Sequence, residues 1–246
     1  MTTLNQKAPE IVQLEEQAIH GKPKCIILAR KGSKRLKNKR KLLLNGKPLI
    51  MYNIDVAKES DLFDGIMVST DDEDVLEMAY EAKVQLHKRE KTLCGDTVQM
   101  RHVIRYLMSQ FDYGNCCCLM GACNPFVTPD DLKEGLKLFR DKQANYVMSV
   151  KLVKPPVENA RRLIKGCLEP IKDLGRSQTL EPRYVHDGGF IFFNPNIFMI
   201  EFDWGFYGSK NYPYITPHPS VDIDTMEDFQ LASILINRWQ GENNGG

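Results

Sequence analysis

The chain has 246 residues, of which 42% are hydrophobic, so it is long enough to fill the core of one large α/β domain or of one domain with a sizeable insertion. Its 33 basic and 32 acidic residues nearly balance, and a net charge of +1 excludes an overall field that would hold a nucleic acid or an anionic membrane. No apolar run approaches the roughly 20 residues that span a bilayer, and residues 1–22 lack the apolar region of a signal peptide. We therefore expect a globular, cytoplasmic protein with no nucleic-acid or membrane partner.

Apolar runs alternate with amphipathic segments along the chain, a pattern that predicts strands and helices in βαβ order. Thr70 and Glu73 have the spacing of a capping box at the start of one helix. This order predicts an α/β fold. Buried strands are predicted at residues 25–29, 65–69, 116–120 and 146–150. Helices are predicted at residues 48–61, 98–110 and 129–141, with one that ends at residue 83 and a last one that starts near Thr225.

Residues 151–186 interrupt this alternation because they are rich in Pro, Gly and charged residues. Within them, residues 161–171 have the pattern of two short strands joined at Lys165-Gly166. The apolar pattern resumes with the segment GGFIFFNP, which starts at Gly188. The predicted division of the chain is an N-terminal arm at 1–22, a core at 23–150 and 187–246, and an inserted lobe at 151–186.

The seven cysteines are typical of a reducing compartment. Cys116, Cys117 and Cys118 are consecutive, and neighbouring residues of a strand point to opposite faces, so they cannot easily share one metal ion or bond to one another. The closest approach to a metal pattern is Cys118 with Cys123, and no second Cys or His pair has a zinc-like spacing. We expect small, buried thiols and no zinc site.

Residues 30–41 carry the densest charge, since eight of these twelve residues are Lys or Arg. They lie between a buried strand and the entry to a helix, at the carboxyl end of a strand, where open α/β sheets bind ligands. Gly32 would permit a tight backbone, while Ser33, the loop amides and the basic side chains would donate to anionic oxygens. The segment predicts a triphosphate site. A basic surface loop or a nucleic-acid patch is the alternative, which is weakened because few aromatic residues are interleaved with the charges.

Asp222 and Asp224 are the candidate metal ligands. Two carboxylates at i and i+2 of an extended segment point to the same side, and Mg²⁺ prefers a few carboxylates together with phosphate oxygens. The alternative is an ordinary cap of the last helix, which Asp224 or Thr225 could provide. Asp71 and Asp72 form a rival acidic pair, but a capping role explains their position equally well.

The segment ILARKGSKRLKNK resembles the N-terminal signature of the acylneuraminate cytidylyltransferases, the family of CMP-sialic acid synthetases and their pseudaminic and legionaminic acid relatives. The resemblance continues, in the family's order, through NGKPLI, FDGIMVSTDDEDV, HKREKTLCGDT and VDIDTMEDFQLA, and it covers residues 25–237. It implies a Rossmann-like nucleotidyltransferase fold, a three-layer sandwich with a mostly parallel, mixed sheet. It also implies a homodimer in which the lobe at 151–186 is exchanged and completes the neighbour's sugar pocket.

The resemblance further implies roles for individual residues. Four are implied to be catalytic: Arg30, Lys39, Asp222 and Asp224, of which the two aspartates hold Mg²⁺. The implied nucleotide-binding set is Arg30, Lys31, Gly32, Ser33, Lys34, Lys39 and Arg89, the last of which helps bind cytidine. The implied sugar-binding set is Arg176, Asp187, Gly188 and Gly189, with Arg183 as the competitor of Arg176.

The implied reaction is attack by the anomeric hydroxyl of a 2-keto sugar acid on the α-phosphate of CTP, with pyrophosphate as the leaving group. Such a displacement needs in-line positioning and neutralised charge, which the basic loop and Mg²⁺ would supply, while one aspartate assists deprotonation. Among the five histidines only His186, beside Asp187, merits a test.

The sequence departs from the family pattern at three places. Direct counting puts Lys39-Arg40 where the family has Lys-Asn, so the loop is shifted or base recognition has changed. Gly121 and Val127 stand where the family has Gln and Arg, and DGG (187–189) replaces NGA. These departures favour an altered sugar. They also keep two alternatives open: another nucleotidyltransferase of the same architecture, and a non-catalytic nucleotide-binding relative.

Overall fold

A computed structural model describes residues 21–32, 35–154, 160–170 and 181–243. Its strands are β1 (Lys24–Ala29), β2 (Leu43–Leu44), β3 (Lys47–Pro48), β4 (Gly65–Thr70), β5 (Gln85–Lys88), β6 (Cys117–Met120), β7 (Tyr146–Leu152), β8 (Arg161–Ile164), β9 (Cys167–Pro170), β10 (Tyr184–Phe193) and β11 (Asn211–Ile215). Its α-helices are α1 (Leu49–Glu59), α2 (Glu73–Glu81), α3 (Met100–Gln110), α4 (Pro129–Asp141), α5 (Pro195–Ile200) and α6 (Met226–Asn243).

Seven strands form one mixed sheet in the order β11-β7-β10-β6-β1-β4-β5. Strand β1 pairs in parallel with β4 and β6, β4 with β5, and β11 with β7, whereas β10 runs antiparallel to β6 and β7. The predicted α/β fold with a mostly parallel, mixed sheet is confirmed. Because β10 runs in the opposite direction, its first half lies at the sheet edge where β1, β4 and β6 end. Ligands of open α/β sheets bind at that edge.

Helices cover both faces of the sheet and form the predicted three layers. On one face α1, α2, α4 and α6 pack through residues such as Leu49, Leu132 and Ala232. On the other face α3 and α5 pack through residues such as Leu107 and Ile197. The full burial of these side chains on a sheet whose strands are themselves apolar is what holds the layers together.

The three consecutive cysteines alternate between the two faces, as predicted. Cys116 and Cys118 belong to one apolar core and Cys117 to the other, and all three are buried. Burial raises the pKa of the Cys116 thiol to about 12, which keeps it protonated. All seven cysteines are free thiols, of which Cys94 is partly buried and Cys167 is exposed.

Most predicted elements are confirmed to within two residues. Helix α4 has the predicted bounds because Thr128 and Asp131 form a capping box around a proline at its first turn. The predicted Thr70–Glu73 capping box is wrong. Thr70 still belongs to β4 and accepts a hydrogen bond from the Asp72 amide, while the Asp72 side chain caps α2. Helix α3 begins at Met100, two residues later than predicted.

The core sheet extends into both ends of residues 151–186, because Leu152 of β7 pairs with Tyr184 of β10. Strands β8 and β9 form the predicted hairpin, in which Lys165 (φ 50°) and Gly166 (φ 82°) make the turn. Residues 1–20 of the predicted arm lie outside the described residues. No helix in the described part of the chain is long and apolar enough to cross a bilayer.

Candidate active site

The basic segment 30–41 leaves the end of β1 and lines a cavity of about 300 Å³ at the carboxyl edge of the sheet. The cavity wall is made by Arg30, Gly32, Arg35, Lys39, Arg40, Asp96 and Asp224. Asp224 comes from the end of the chain opposite to the basic segment. The structure therefore brings together the two regions that the sequence marked as a triphosphate site and a metal site.

The loop backbone explains how Lys39 reaches the cavity. Asn38 adopts a left-handed conformation (φ 53°), which turns the chain into a short 3₁₀ helix at Lys39–Lys41. Leu36 is buried in the apolar core and anchors the middle of the loop. The expected conformational need for Gly32 is not observed, because a Cβ there would meet no atom within 4 Å and its φ is not positive.

Both carboxylate oxygens of Asp224 bind basic side chains of this loop. Lys39 Nζ lies 2.6 Å from Asp224 Oδ1, and an Arg35 guanidinium nitrogen lies 2.5 Å from Asp224 Oδ2. The Lys39 side chain is 8% exposed, whereas that of Arg35 is 67% exposed. A buried, charge-assisted contact of this kind holds the loop against the start of α6.

The cap of α6 uses neither Asp222 nor Asp224 through its side chain. Asp228 Oδ2 accepts a hydrogen bond from the Thr225 amide at 2.8 Å, and Thr225 Oγ1 accepts one from the Asp228 amide at 3.2 Å. This reciprocal pair is a capping box. The carboxylates of Asp222 and Asp224 are therefore available for other contacts, and the capping alternative does not account for them.

Asp222 lies beside Gly188 and remains accessible to solvent. Partial burial raises the pKa of Asp222, the Lys39 ammonium opposes the rise, and the Asp224 carboxylate adds to it. A carboxylate with a raised pKa gains from a nearby cation. Within the described ranges, no group of three or more His, Cys, Asp and Glu side chains that could hold a metal ion occurs.

Three cavity residues were missed by the sequence analysis: Arg35, Arg40 and Asp96. Asp96 Oδ1 forms an ion pair with Arg30 Nη1 at 3.1 Å. The position of Asp96 within the CGDT motif was the sequence feature that could have predicted its place in the cavity. Arg40 donates to the Arg30 carbonyl, and its buried Nε has no hydrogen-bond partner among the described residues. Arg40 could have been predicted because it stands where the family has the Asn of its Lys-Asn pair. No sequence feature distinguished Arg35 from the other basic residues of the segment.

Other nucleotide-site candidates surround the cavity. Arg89 is buried and donates to the Ser69 carbonyl at 3.0 Å; burial lowers its pKa, although Asp71 acts in the opposite direction. The Lys31 amide donates to Asp71 Oδ1 at 2.6 Å. Asp71 thus holds the basic loop and Asp72 caps α2, so the rival acidic pair has structural contacts. Ser33 and Lys34 lie outside the described residues.

The Asp187 carboxylate is enclosed by protein donors. Ser149 Oγ and the Gly189 amide donate to Oδ1, and Thr216 and Ser220 hydroxyls donate to Oδ2 at 2.6 and 2.8 Å. Burial opposes its charge, but these bonds prevail and lower the pKa of Asp187. Asp187 is 1% exposed, and its carboxylate holds three chain segments together. The carboxylate is therefore directed into the protein, whereas a sugar contact would require it to face a ligand.

The glycines after Asp187 are required by close packing. Gly188 has φ +77°, and a Cβ there would lie 2.5 Å from Asp222 Cγ. A Cβ at Gly121 would lie 2.0 Å from the Gly188 carbonyl oxygen, and one at Gly189 would lie 3.2 Å from a Val127 methyl. The departures at 121, 127 and 188–189 therefore form one packed cluster next to Asp222.

The structure gives contacts for His186 and Arg183. His186, the one histidine that merits a test, has Nδ1 2.8 Å from the Ser149 carbonyl oxygen, which fixes its ring against β7. Arg183 is exposed and lies 3.6 Å from the Glu181 carboxylate. Arg176 lies outside the described residues.

His218 secures the segment that leads to Asp222. Its Nε2 lies 2.8 Å from Asp131 Oδ2, its Nδ1 lies 3.0 Å from the Pro219 carbonyl, and its ring packs on Trp239. Burial works against the charged ring, but the bonds to Asp131 and Pro219 prevail and raise the pKa of His218. Burial disfavours the charged form of Asp131, but the hydrogen bonds from His218, Thr128 and Tyr214 prevail and lower the pKa of Asp131.

Comparison with solved structures supports the fold. The fold matches CMP:2-keto-3-deoxy-manno-octonic acid synthetase complexed with CTP, with a TM-score of 0.65 and 14% identity over 89% of this chain and 99% of that one. It also matches 4-diphosphocytidyl-2C-methyl-D-erythritol synthase from Anaerococcus prevotii, with a TM-score of 0.60 and 12% identity over 88% and 96% of the two chains. The chain thus has a Rossmann-like α/β fold.

The family follows from the sequence itself. A cytidylyltransferase family model matches residues 24–234, and the chain belongs to that family. It is 34% identical over 222 residues to a pseudaminic acid cytidylyltransferase of Campylobacter jejuni subsp. jejuni, across 86% of this chain and 94% of that protein. It is 32% identical over 215 residues to an N-acylneuraminate cytidylyltransferase of Streptococcus agalactiae, across 85% and 52%. The resemblance inferred from the motifs is confirmed, and the protein is a CTP-dependent nucleotidyltransferase.

Proposed function

We propose that this cytidylyltransferase transfers CMP from CTP to a nine-carbon 2-keto sugar acid and releases pyrophosphate. The convergence of the basic segment 30–41 with Asp224 on one cavity is the observation that carries the proposal. Pseudaminic acid is the first acceptor to test, because the relative named for it aligns over 94% of its length, against 52% for the N-acylneuraminate relative.

The cavity suits the triphosphate of CTP. Four basic residues line it, namely Arg30, Arg35, Lys39 and Arg40, against the two carboxylates of Asp96 and Asp224. The net positive charge and the guanidinium groups favour phosphate oxygens, which arginine binds through two parallel hydrogen bonds. The buried Nε of Arg40, a residue that lines the cavity, has no hydrogen-bond partner among the described residues, and a phosphate oxygen that reached it would satisfy this donor.

In this proposal the carboxylates of Asp222 and Asp224 would hold Mg²⁺, and Asp224 is the one that lines the cavity. The donor set is right for a magnesium ion that keeps water and phosphate ligands, because such ions use only one or two carboxylates. When bound, Mg²⁺ would neutralise charge on the phosphates during the displacement. Gly188 keeps the space beside Asp222 free of a side chain, which leaves access to that carboxylate.

The reaction is a single displacement at phosphorus. A bond forms between the anomeric oxygen and the α-phosphorus, while the bond from that phosphorus to the β-bridging oxygen breaks and pyrophosphate leaves. The basic residues hold the triphosphate in line and compensate the charge that gathers on the leaving group. One of the two aspartates assists removal of the hydroxyl proton.

A homodimer is part of the proposal, and the β8–β9 hairpin supports it. Leu163 and Leu168 face each other across the hairpin, and each is 72% exposed. Large apolar side chains exposed on one face of a hairpin are typical of a protein interface. A cytoplasmic location is proposed as well, supported by the seven free thiols.

A CTP-dependent assay of pyrophosphate release tests the reaction. Sialic, legionaminic, pseudaminic and 3-deoxyoctulosonic acids are supplied in turn with Mg²⁺, and the product is identified as the CMP-sugar by mass spectrometry. We expect turnover with a nine-carbon acid and its loss in Asp222→Ala, while Asp130→Ala, an exposed aspartate that pairs with Lys133, keeps it. CTP binding without turnover of any acid would contradict the proposal and favour a non-catalytic relative. Turnover only with another nucleotide or a sugar phosphate would favour a different nucleotidyltransferase.

A further inference from the structure

Both carboxylate oxygens of Asp224 are paired with basic side chains in this structure. Lys39 covers Oδ1 at 2.6 Å and Arg35 covers Oδ2 at 2.5 Å. We propose that Arg35 and Lys39 guard Asp224 until CTP arrives, so that the divalent-cation site forms only after the triphosphate has drawn these two cations away. This inference rests on the proposed function and adds an order of binding to it.

Charge explains why the free site would repel a metal ion. A divalent cation that approaches Asp224 meets an ammonium and a guanidinium in contact with the same carboxylate. The repulsion between the metal ion and these two cations outweighs its attraction to the one carboxylate. Asp222 alone offers one carboxylate, and the Lys39 ammonium already acts on it. A triphosphate brings several negative charges, which give the two cations new partners and leave Asp224 to the metal.

The same arrangement recurs at the other acidic residue of the cavity. Asp96 holds Arg30 at 3.1 Å, so each carboxylate that lines the cavity is paired with a basic residue that lines it too. The free site is therefore internally compensated. Binding of the nucleotide would exchange these internal pairs for phosphate contacts.

Replacement of Arg35 tests whether basic side chains keep metal ions from Asp224. Its side chain is 67% exposed, so its replacement leaves no buried gap, whereas Lys39 is buried and its replacement would disturb packing. Lys37 gives a matched control, because it is an exposed basic residue of the same loop and is not among the described residues that line the cavity.

The experiment titrates Mn²⁺ into the full chain without nucleotide and follows free Mn²⁺ by electron paramagnetic resonance. We expect weak binding to the wild type, binding about ten-fold tighter to Arg35→Gln because one repelling charge is gone, and wild-type behaviour in Lys37→Gln and Arg35→Lys. Asp224→Asn in the Arg35→Gln background should abolish the gain.

The proposal is overturned if Arg35→Gln binds Mn²⁺ no more tightly than the wild type, or if the gain survives Asp224→Asn. Calorimetry of CTP binding in EDTA separates this outcome from a failure of the proposed function. Wild-type protein that binds CTP without metal supports the proposed order, whereas CTP binding that strictly requires prior Mn²⁺ contradicts it. Absence of CTP binding under every condition would count against the proposed function itself.

Discussion

At the residue scale, the positions within the basic segment are not equivalent. Lys39 is buried against Asp224, Arg35 reaches the same carboxylate from solvent, and Lys37 remains exposed. Eight of the twelve residues from 30 to 41 are basic, and the left-handed Asn38 and the buried Leu36 help decide which of the described ones face the cavity. The direction of side chains within an irregular loop could not be predicted, because such a loop has no fixed period.

Replacement of Lys39 tests its role in catalysis. We expect Lys39→Gln to lower kcat/KM for CTP by about 100-fold, which corresponds to about 2.7 kcal/mol, because a buried cation that faces the triphosphate is removed. Lys37→Gln should stay within about two-fold, since an exposed cation outside the cavity adds little. Steady-state kinetics at saturating acceptor measure both. Equal losses in the two variants would show that the segment acts only through its total charge.

At the scale of the elements, the strands and helices were the most predictable part of the chain. Continuous apolar runs located β1, β4 and β6, and α4 was predicted with its observed bounds, although the Thr128–Asp131 capping box that fixes its start was found only in the structure. The reversed direction of β10 and the contact of Gly121 with Gly188 could not be predicted, since both depend on which strands become neighbours. Gly121 and Val127, whose departure from the family pattern favours an altered sugar, lie against Gly188 and Gly189 of β10.

Substitution at Gly121 tests the fit between β6 and β10. A Cβ there would lie 2.0 Å from the Gly188 carbonyl oxygen, so we expect Gly121→Ala to lower the free energy of unfolding by about 1–3 kcal/mol. Gly32→Ala is the matched control and should change it by less than about 0.5 kcal/mol, because a Cβ there meets no atom within 4 Å. Urea denaturation measures both. An Ala at 121 that is tolerated as well as one at 32 would contradict the close approach.

At the scale of the whole molecule, the His218–Asp131 pair links α4, α6 and the segment that carries Asp222. The raised pKa of His218 means that the folded chain holds this proton more tightly than the unfolded chain. Its stabilisation is complete below the unfolded pKa of about 6.5 and is lost as the pH rises through the higher folded pKa. Because the pKa of Asp131 is lowered, its contribution to the free energy of unfolding has the opposite pH dependence. That contribution is lost only in acid, below about pH 4.

The pH dependence of stability tests this link. Between pH 6 and pH 9 we expect the wild type to lose about 1 kcal/mol of unfolding free energy relative to His218→Gln, which lacks the titrating ring. His102→Gln, at an exposed histidine, should keep the wild-type dependence. Denaturant titrations at the two pH values give the difference, and parallel curves for wild type and His218→Gln would contradict the assignment.

The assembly is tested through the β8–β9 hairpin. We expect a dimer by light scattering, and a shift to monomer when Leu163 and Leu168 are both replaced by Asp, since two charges would be buried in the proposed interface. Leu43→Asp, at a residue that is 59% exposed elsewhere on the molecule, should leave the mass unchanged. A double variant that stays dimeric would place the interface elsewhere.

The contact between Gly121 and the Gly188 backbone has a consequence for protein engineering. A mutant library that diversifies position 121 alone would lose stability in most of its members, because any side chain there collides with main-chain atoms. Randomising both strand segments together would let the backbone relax while new side chains are sampled. Redesign at this contact is therefore a problem of paired backbone segments rather than of single positions.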